Sequence, residues 1–129
     1  MKEKCIVLVD DEAIILMALK MECKRRYKQT DIITALNAEQ ALQHIEQNKK
    51  GQDYIVISDY QLPGMKGDAF LRRIMQEYPG SVMILLTGQA PDLTIQSMKN
   101  DLSLKACLHK PWRVNDLYEV LDPFLLHQT

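Results

Sequence analysis

Three aspartates, a threonine and a lysine stand where short apolar runs of this chain end, and their types suit cation binding and phosphoryl chemistry. Asp10 and Asp11 follow Cys5-Ile6-Val7-Leu8-Val9, and Asp59 follows Tyr54-Ile55-Val56-Ile57-Ser58. Thr87 and Gly88 follow Val82-Met83-Ile84-Leu85-Leu86, and Lys110-Pro111 follows Ala106-Cys107-Leu108-His109. Carboxylates brought close together resist joint ionisation unless a cation offsets their charge. Magnesium suits such a set because it takes oxygen ligands, often one or two carboxylates and a phosphate. A carboxylate is also a nucleophile toward phosphorus, forming an aspartyl phosphate, and that reaction needs in-line approach and charge stabilisation above all. Lys110 would supply charge, the Thr87 hydroxyl a hydrogen-bond donor, and Gly88 an unobstructed backbone. Taken singly each has a plainer reading: Asp11 as a helix cap, Thr87 as a β-branched strand residue, Lys110 as surface charge.

These residues can cooperate only if the runs that carry them lie side by side. Near-continuous apolar runs of this length read as strands buried on both faces of a parallel sheet, whose ligands bind at the carboxyl ends of the strands. Strand-like and helix-like segments alternate five times, which argues for βα units. The first helix is expected from about Asp11 or Glu12, carrying Ile14, Ile15, Met17, Ala18 and Met21 and turning basic near Tyr27. A short strand, Ile32 to Ala35, leads to Asn37, which with Gln40 forms a capping-box-like start for a helix to about Asn48. The turn Pro63-Gly64-Met65-Lys66-Gly67 precedes a helix over about Asp68 to Tyr78, stopped by Pro79-Gly80. Pro91 suits the first turn of a helix reaching about Met98. In the last helix Leu117, Val120, Leu121, Phe124 and Leu125 keep helical spacing, and Pro123 predicts a kink or an early end.

At 129 residues the chain has length for one domain, residues 1–129, with a sizeable core, and a net charge of −1 gives no general pull toward nucleic acid or anionic lipid. No apolar stretch approaches the roughly 20 residues that span a bilayer, so a cytoplasmic protein without direct membrane contact is expected. Cys5, Cys23 and Cys107 are odd in number, scattered and set among apolar neighbours, which reads as free thiols rather than a disulfide framework. Arg25, Arg26 and Lys28 read as a solvated helix end.

The ordered set Asp10-Asp11, Asp59, Pro63-Gly64, Thr87-Gly88 and Lys110-Pro111 closely resembles the receiver domains of two-component response regulators, of the CheY-like kind. The resemblance extends from the first strand to Phe124. It implies a flavodoxin-like (βα)5 α/β fold with a doubly wound parallel sheet in the order 2-1-3-4-5. It further implies that Asp59 accepts a phosphoryl group from a sensor histidine kinase or a histidine phosphotransfer protein. Asp10, Asp11 and Asp59, with the backbone carbonyl of Gln61, would hold magnesium, with manganese as a substitute, and Thr87, Gly88 and Lys110 would meet the phosphoryl group. The partner downstream would be another protein or an output domain joined to this one, and a homodimer is a further option. Gln61 and Gln89 flank the route of the hydrolytic water and are candidates for tuning dephosphorylation. Where the family often has Tyr or Phe, three residues before the lysine, this chain has Cys107, so the usual aromatic switch is missing. Trp112 is a large aromatic nearby, either a packed anchor or a partner contact. The Lys110-Pro111-Trp112 run is similar to receivers joined to cyclic-dinucleotide phosphodiesterase-type outputs.

Three rival readings share part of this pattern. A phosphate-independent pseudo-receiver would keep the fold and lose the chemistry. An aspartyl-phosphate hydrolase of the haloacid dehalogenase kind would carry a second Asp where this chain has Glu12. A flavin-binding module would want hydroxyls and amides, not acids, in the first loop. His44, His109 and His127 form no ligand set.

Overall fold

The computed structural model describes residues 4–48, 53–88, 92–102 and 104–126. Five strands, β1 (Lys4–Val9), β2 (Asp31–Ala35), β3 (Asp53–Asp59), β4 (Val82–Thr87) and β5 (Ala106–His109), alternate with five helices. The helices are α1 (Ala13–Arg26), α2 (Ala38–Gln47), α3 (Gly67–Glu77), α4 (Asp92–Leu102) and α5 (Val114–Leu125). All strand pairs are parallel and the order is β2-β1-β3-β4-β5. This is the doubly wound flavodoxin-like sheet.

The apolar runs are buried on both faces because helices cover both. Val7, Val9, Val56 and Leu85 point into one core layer with Ala41, Ile45, Phe70, Leu71 and Ile74 of α2 and α3. Ile6, Leu8, Ile55, Ile57 and Ile84 point into the other with Leu16, Leu19, Leu117 and Leu121 of α1 and α5. Successive strand residues thus feed opposite layers, which is the period-two geometry of a pleated strand. Cys5 and Cys23 are buried thiols, and Cys107 is a half-buried one. Burial among apolar groups, with help from Glu22, pushes the Cys23 thiol up to about 12, so it is protonated and inert at neutral pH.

Several boundaries differ from expectation for local reasons. Helix α1 opens at Ala13, and the carboxylate that receives the backbone N–H at its entry is Asp10, whose Oδ1 accepts from Glu12 N at 2.8 Å. Asp11 is exposed and is not the cap. The apolar residues of α1 lie on two sides: Leu16, Leu19 and Cys23 are buried, whereas Ile14, Met17 and Met21 are 82%, 63% and 57% exposed. Asn37 caps α2, its Oδ1 accepting from Gln40 N at 2.7 Å, and Gln40 Oε1 reaches back to Leu36 N at 2.9 Å, one residue before the cap. Helix α4 continues to Leu102, four residues beyond the expected end, because Met98 and Leu102 bury one turn apart. Pro91 lies outside the described residues. Helix α5 passes Pro123 and ends at Leu125, so the bond that the proline cannot donate falls in the last turn, with little helix beyond it to disturb.

Candidate functional site

Sheet register places the acidic residues together. β1 and β3 pair Val9 with Ser58, so Asp10 and Asp59 lie side by side just beyond the last paired residues. β3 and β4 pair Asp59 with Leu86, which puts Thr87 one residue further out on the neighbouring strand. Lys110 follows β5, and its N–H donates to the Thr87 carbonyl at 2.9 Å. The five residues singled out from the sequence therefore share one end of the sheet. Their carboxylate oxygens are close enough for one ion: Asp10, Asp11 and Asp59 each place an oxygen within 4.8 Å of the others.

The β3–α3 loop has little freedom. The Gly67 N–H donates to the Tyr60 carbonyl at 2.9 Å, and a Cβ on Gly67 would lie 2.3 Å from the Asp59 carbonyl oxygen. Only glycine lets the start of α3 approach the backbone of the central aspartate so closely. Gly64 holds the loop's left-handed corner at φ 72°, and Glu39 Oε2 accepts from Met65 N at 3.1 Å. Gly88 is exposed, and a Cβ there would meet nothing within 4 Å among the described residues, which leaves space beside Thr87.

The electrostatics are unbalanced. Asp10 is 0% exposed and Asp59 5%. Lys110 Nζ lies 2.7 Å from Asp10 Oδ2 and 3.1 Å from Asp59 Oδ2, so one ammonium serves two buried carboxylates. Asp10 Oδ2 has that ion pair but no hydrogen bond of acceptable geometry among the described residues. The Asp59 Oδ1 atom accepts from Gln61 N at 3.3 Å. Desolvation raises the pKa of Asp59 and outweighs the opposing pull of Lys110 and the Gln61 amide. Burial works against the Lys110 ammonium, but its close approach to Asp10 and Asp59 and their negative charges prevail, and its pKa is raised. Three carboxylates against one ammonium leave an excess of two negative charges, and an oxygen-only donor set with an orphaned lone pair fits a hard divalent cation.

Gln61 is exposed at the mouth of the site. Gln89 lies outside the described residues. Trp112 is half-buried, packed beside the layer formed by α1 and α5, and its indole N–H donates to Glu22 Oε1 at 2.7 Å. Sequence reasoning missed the tie that joins the far ends of α1 and α5. Both oxygens of Asp122 are engaged by Arg26, at 2.8 and 2.7 Å, and Tyr27 OH donates to Asp122 Oδ1 at 2.6 Å. The basic run at the end of α1 was the available signal, yet the partner is 96 residues away in sequence. No helix among the described residues is long and apolar enough to cross a membrane.

Residues 6–122 match the family model for the response regulator receiver domain. Among curated proteins, a protein-glutamate methylesterase/protein-glutamine glutaminase of Oleidesulfovibrio alaskensis is 32% identical over 96 residues, covering 73% of this chain and 25% of that protein. A two-component response regulator of Oryza sativa subsp. indica is 30% identical over 120 residues, covering 89% of this chain and 16% of its own length. The chain thus spans a quarter or less of these relatives. Among solved structures, the signal receiver domain of an HD domain-containing protein from Pseudomonas fluorescens Pf-5 superposes with a TM-score of 0.84. It is 33% identical, and the match covers 98% of this chain and 97% of that one.

Proposed function

This chain belongs to the response regulator receiver domain family, and from that premise we propose that residues 1–129 form one receiver domain that accepts a phosphoryl group on Asp59. The observation that carries the reading is Lys110 Nζ, held between the buried carboxylates of Asp10 and Asp59, with the exposed Asp11 completing a group of three. An Asp59 oxygen forms the new bond to phosphorus. The bond to the donor atom breaks, and its electron pair leaves with the donor, the imidazole nitrogen of a phosphohistidine. Asp10, Asp11, Asp59 and the backbone carbonyl of Gln61 would hold magnesium, which supplies positive charge for the carboxylates and the phosphoryl oxygens.

The chain's own groups do the rest. Lys110 trades its ion pair with Asp59 for the phosphoryl oxygens, and the Thr87 hydroxyl donates to another of them. The open space beside Gly88 lets the group enter. Phosphorylation makes Asp59 larger and more negative, and the shift of Thr87 and Lys110 biases two arrangements of the β4 end and its neighbouring loops. Gln61 and Gln89 tune how fast water removes the group. The domain is a signalling module, not a dedicated enzyme, working in the cytoplasm on a partner or a joined output domain.

A macromolecular donor needs a surface beside the site. Ile14, Met17 and Met21 recur at i, i+3 and i+7 on α1, beginning three residues past Asp11, and form an exposed apolar stripe suited to a helix of a histidine kinase or phosphotransfer protein.

Incubation with acetyl phosphate and magnesium, read by intact mass, tests the proposal. The wild type gains one labile phosphoryl group. The Asp59→Asn variant, and wild type in excess chelator, gain none. An unmodified wild type would leave a pseudo-receiver, and sustained release of phosphate from added phosphomonoesters would point to a hydrolase.

A further inference from the structure

The open edge of the sheet, at the far side of β1 from the acidic site, carries a groove that phosphoryl chemistry does not use. β2 pairs only with β1 among the described strands. Beside it lies a groove of about 760 Å³, floored by β2 and walled by α1 on one side and α2 on the other. The Ala35 carbonyl accepts from Asp10 N, so it faces β1, and strand alternation turns the peptide groups of Ile32 and Thr34 outward into the groove. That is the position a sixth strand would take.

The wall from α1 is cationic. Lys20 and Lys24 lie one turn apart on the helix, and Lys28 follows in the turn that leads to β2. All three are exposed. Along a helix four residues advance about 6 Å, and alternate residues of an extended chain advance about 6.7 Å. Acidic side chains on every second position of an extended segment therefore meet successive lysines while its backbone pairs with β2. His44 of α2 and Thr34 add polar partners on the other wall and the floor.

We propose that this groove docks an acidic, extended peptide segment of a partner protein by strand addition to β2. A simple guard against edge-to-edge aggregation would place lysine or proline in the strand itself. β2 reads Asp-Ile-Ile-Thr-Ala, and its cations stand on the neighbouring helix, where they leave the backbone row accessible. A second copy of this chain is a poor occupant because two lysine walls would face each other. This inference does not depend on phosphorylation of Asp59.

The experiment uses the full chain and a fluorescein-labelled octapeptide alternating glutamate and threonine, titrated by anisotropy at low ionic strength. Saturable binding is expected, weakened about ten-fold in the Lys20→Gln/Lys24→Gln double variant. Hydrogen exchange is expected to slow at the Ile32 and Thr34 amides when peptide is bound. Both substitutions are on exposed helix surface, and unchanged circular dichroism checks that the variant is folded. Absence of saturable binding overturns the proposal. So does equal affinity for inorganic polyphosphate or for a proline-interrupted glutamate peptide, because neither can add a strand and the lysines would then attract any polyanion.

Discussion

Among the described residues Asp122 and Asp10 each meet a cation at 2.7 Å, and only Asp10 belongs to the acidic cluster at the strand ends. Asp122 is fully served. Arg26 takes both oxygens in a fork, Tyr27 adds a third hydrogen bond, and the guanidinium lies 4.7 Å from the ring centre of Tyr118. Its pKa is lowered, first by the Arg26 hydrogen bond. Asp59 and Asp10 instead share a single ammonium in a buried setting, and Asp59 is raised by desolvation. The same chemical pair is structural where every lone pair is answered, and poised where charge is left over. Under the proposed function, that surplus is what would draw a cation and a phosphoryl group to the site.

Lys110→Ala breaks the comparison most sharply. It removes the only described cation touching the buried carboxylates, and phosphoryl transfer to Asp59 should fall by about 100-fold or more, the scale of one lost charge-stabilising donor. Stopped-flow or quenched mass measurements with acetyl phosphate would follow it, while magnesium binding persists. An unchanged rate would mean that Lys110 is only a counter-ion.

Gly67→Ala attacks the support instead of the charges. Its Cβ would stand 2.3 Å from the Asp59 carbonyl oxygen, so the backbone must move. A stability loss of about 1–3 kcal/mol in urea titration is expected, with slowed phosphorylation. Full activity at wild-type stability would show the loop to be looser than its contacts imply.

Asp10→Asn removes one of the surplus charges. In chelator the variant should melt higher than wild type, by about 1 kcal/mol of stability, yet bind magnesium more weakly. A lower melting temperature in chelator would show that the site is balanced after all.

Asp122→Asn should have the smallest effect, no more than about 1 kcal/mol, with phosphorylation unchanged, as for a partly exposed ion pair. The sign with pH is fixed by its lowered pKa. Between that value and the ordinary aspartate value of about 3.9 the unfolded chain binds more protons, so stability from Asp122 is present above that range and is lost as pH falls through it. Wild type and variant should converge in acid denaturation profiles there, and a gap that widens on acidification would contradict the assignment.

Much of this arrangement was legible in the chain. The strands could be read because burial on both faces demands unbroken apolar runs, and the site because each reactive type falls where such a run stops. Asn37 with Gln40 announced α2 because capping is local. The faces of α1 were not legible: Ile14 and Leu16 are alike in hydropathy, and only the packing of α1 on the sheet decides which is buried. Nor was the entry to α1, since Asp10, Asp11 and Glu12 are all acids and the turn selects Asp10 to accept from the Glu12 N–H.

Residue order by itself determined that this is an alternating α/β chain with its chemistry at strand ends, because hydrophobic period and strand-end residue types are local properties. Tertiary structure alone decided how charge is shared: that Lys110 spans Asp10 and Asp59, that Arg26 finds Asp122 across 96 residues, and that β2 lies open beside three lysines. Those outcomes depend on distance and desolvation between segments remote in sequence, and neither quantity exists until the sheet is assembled.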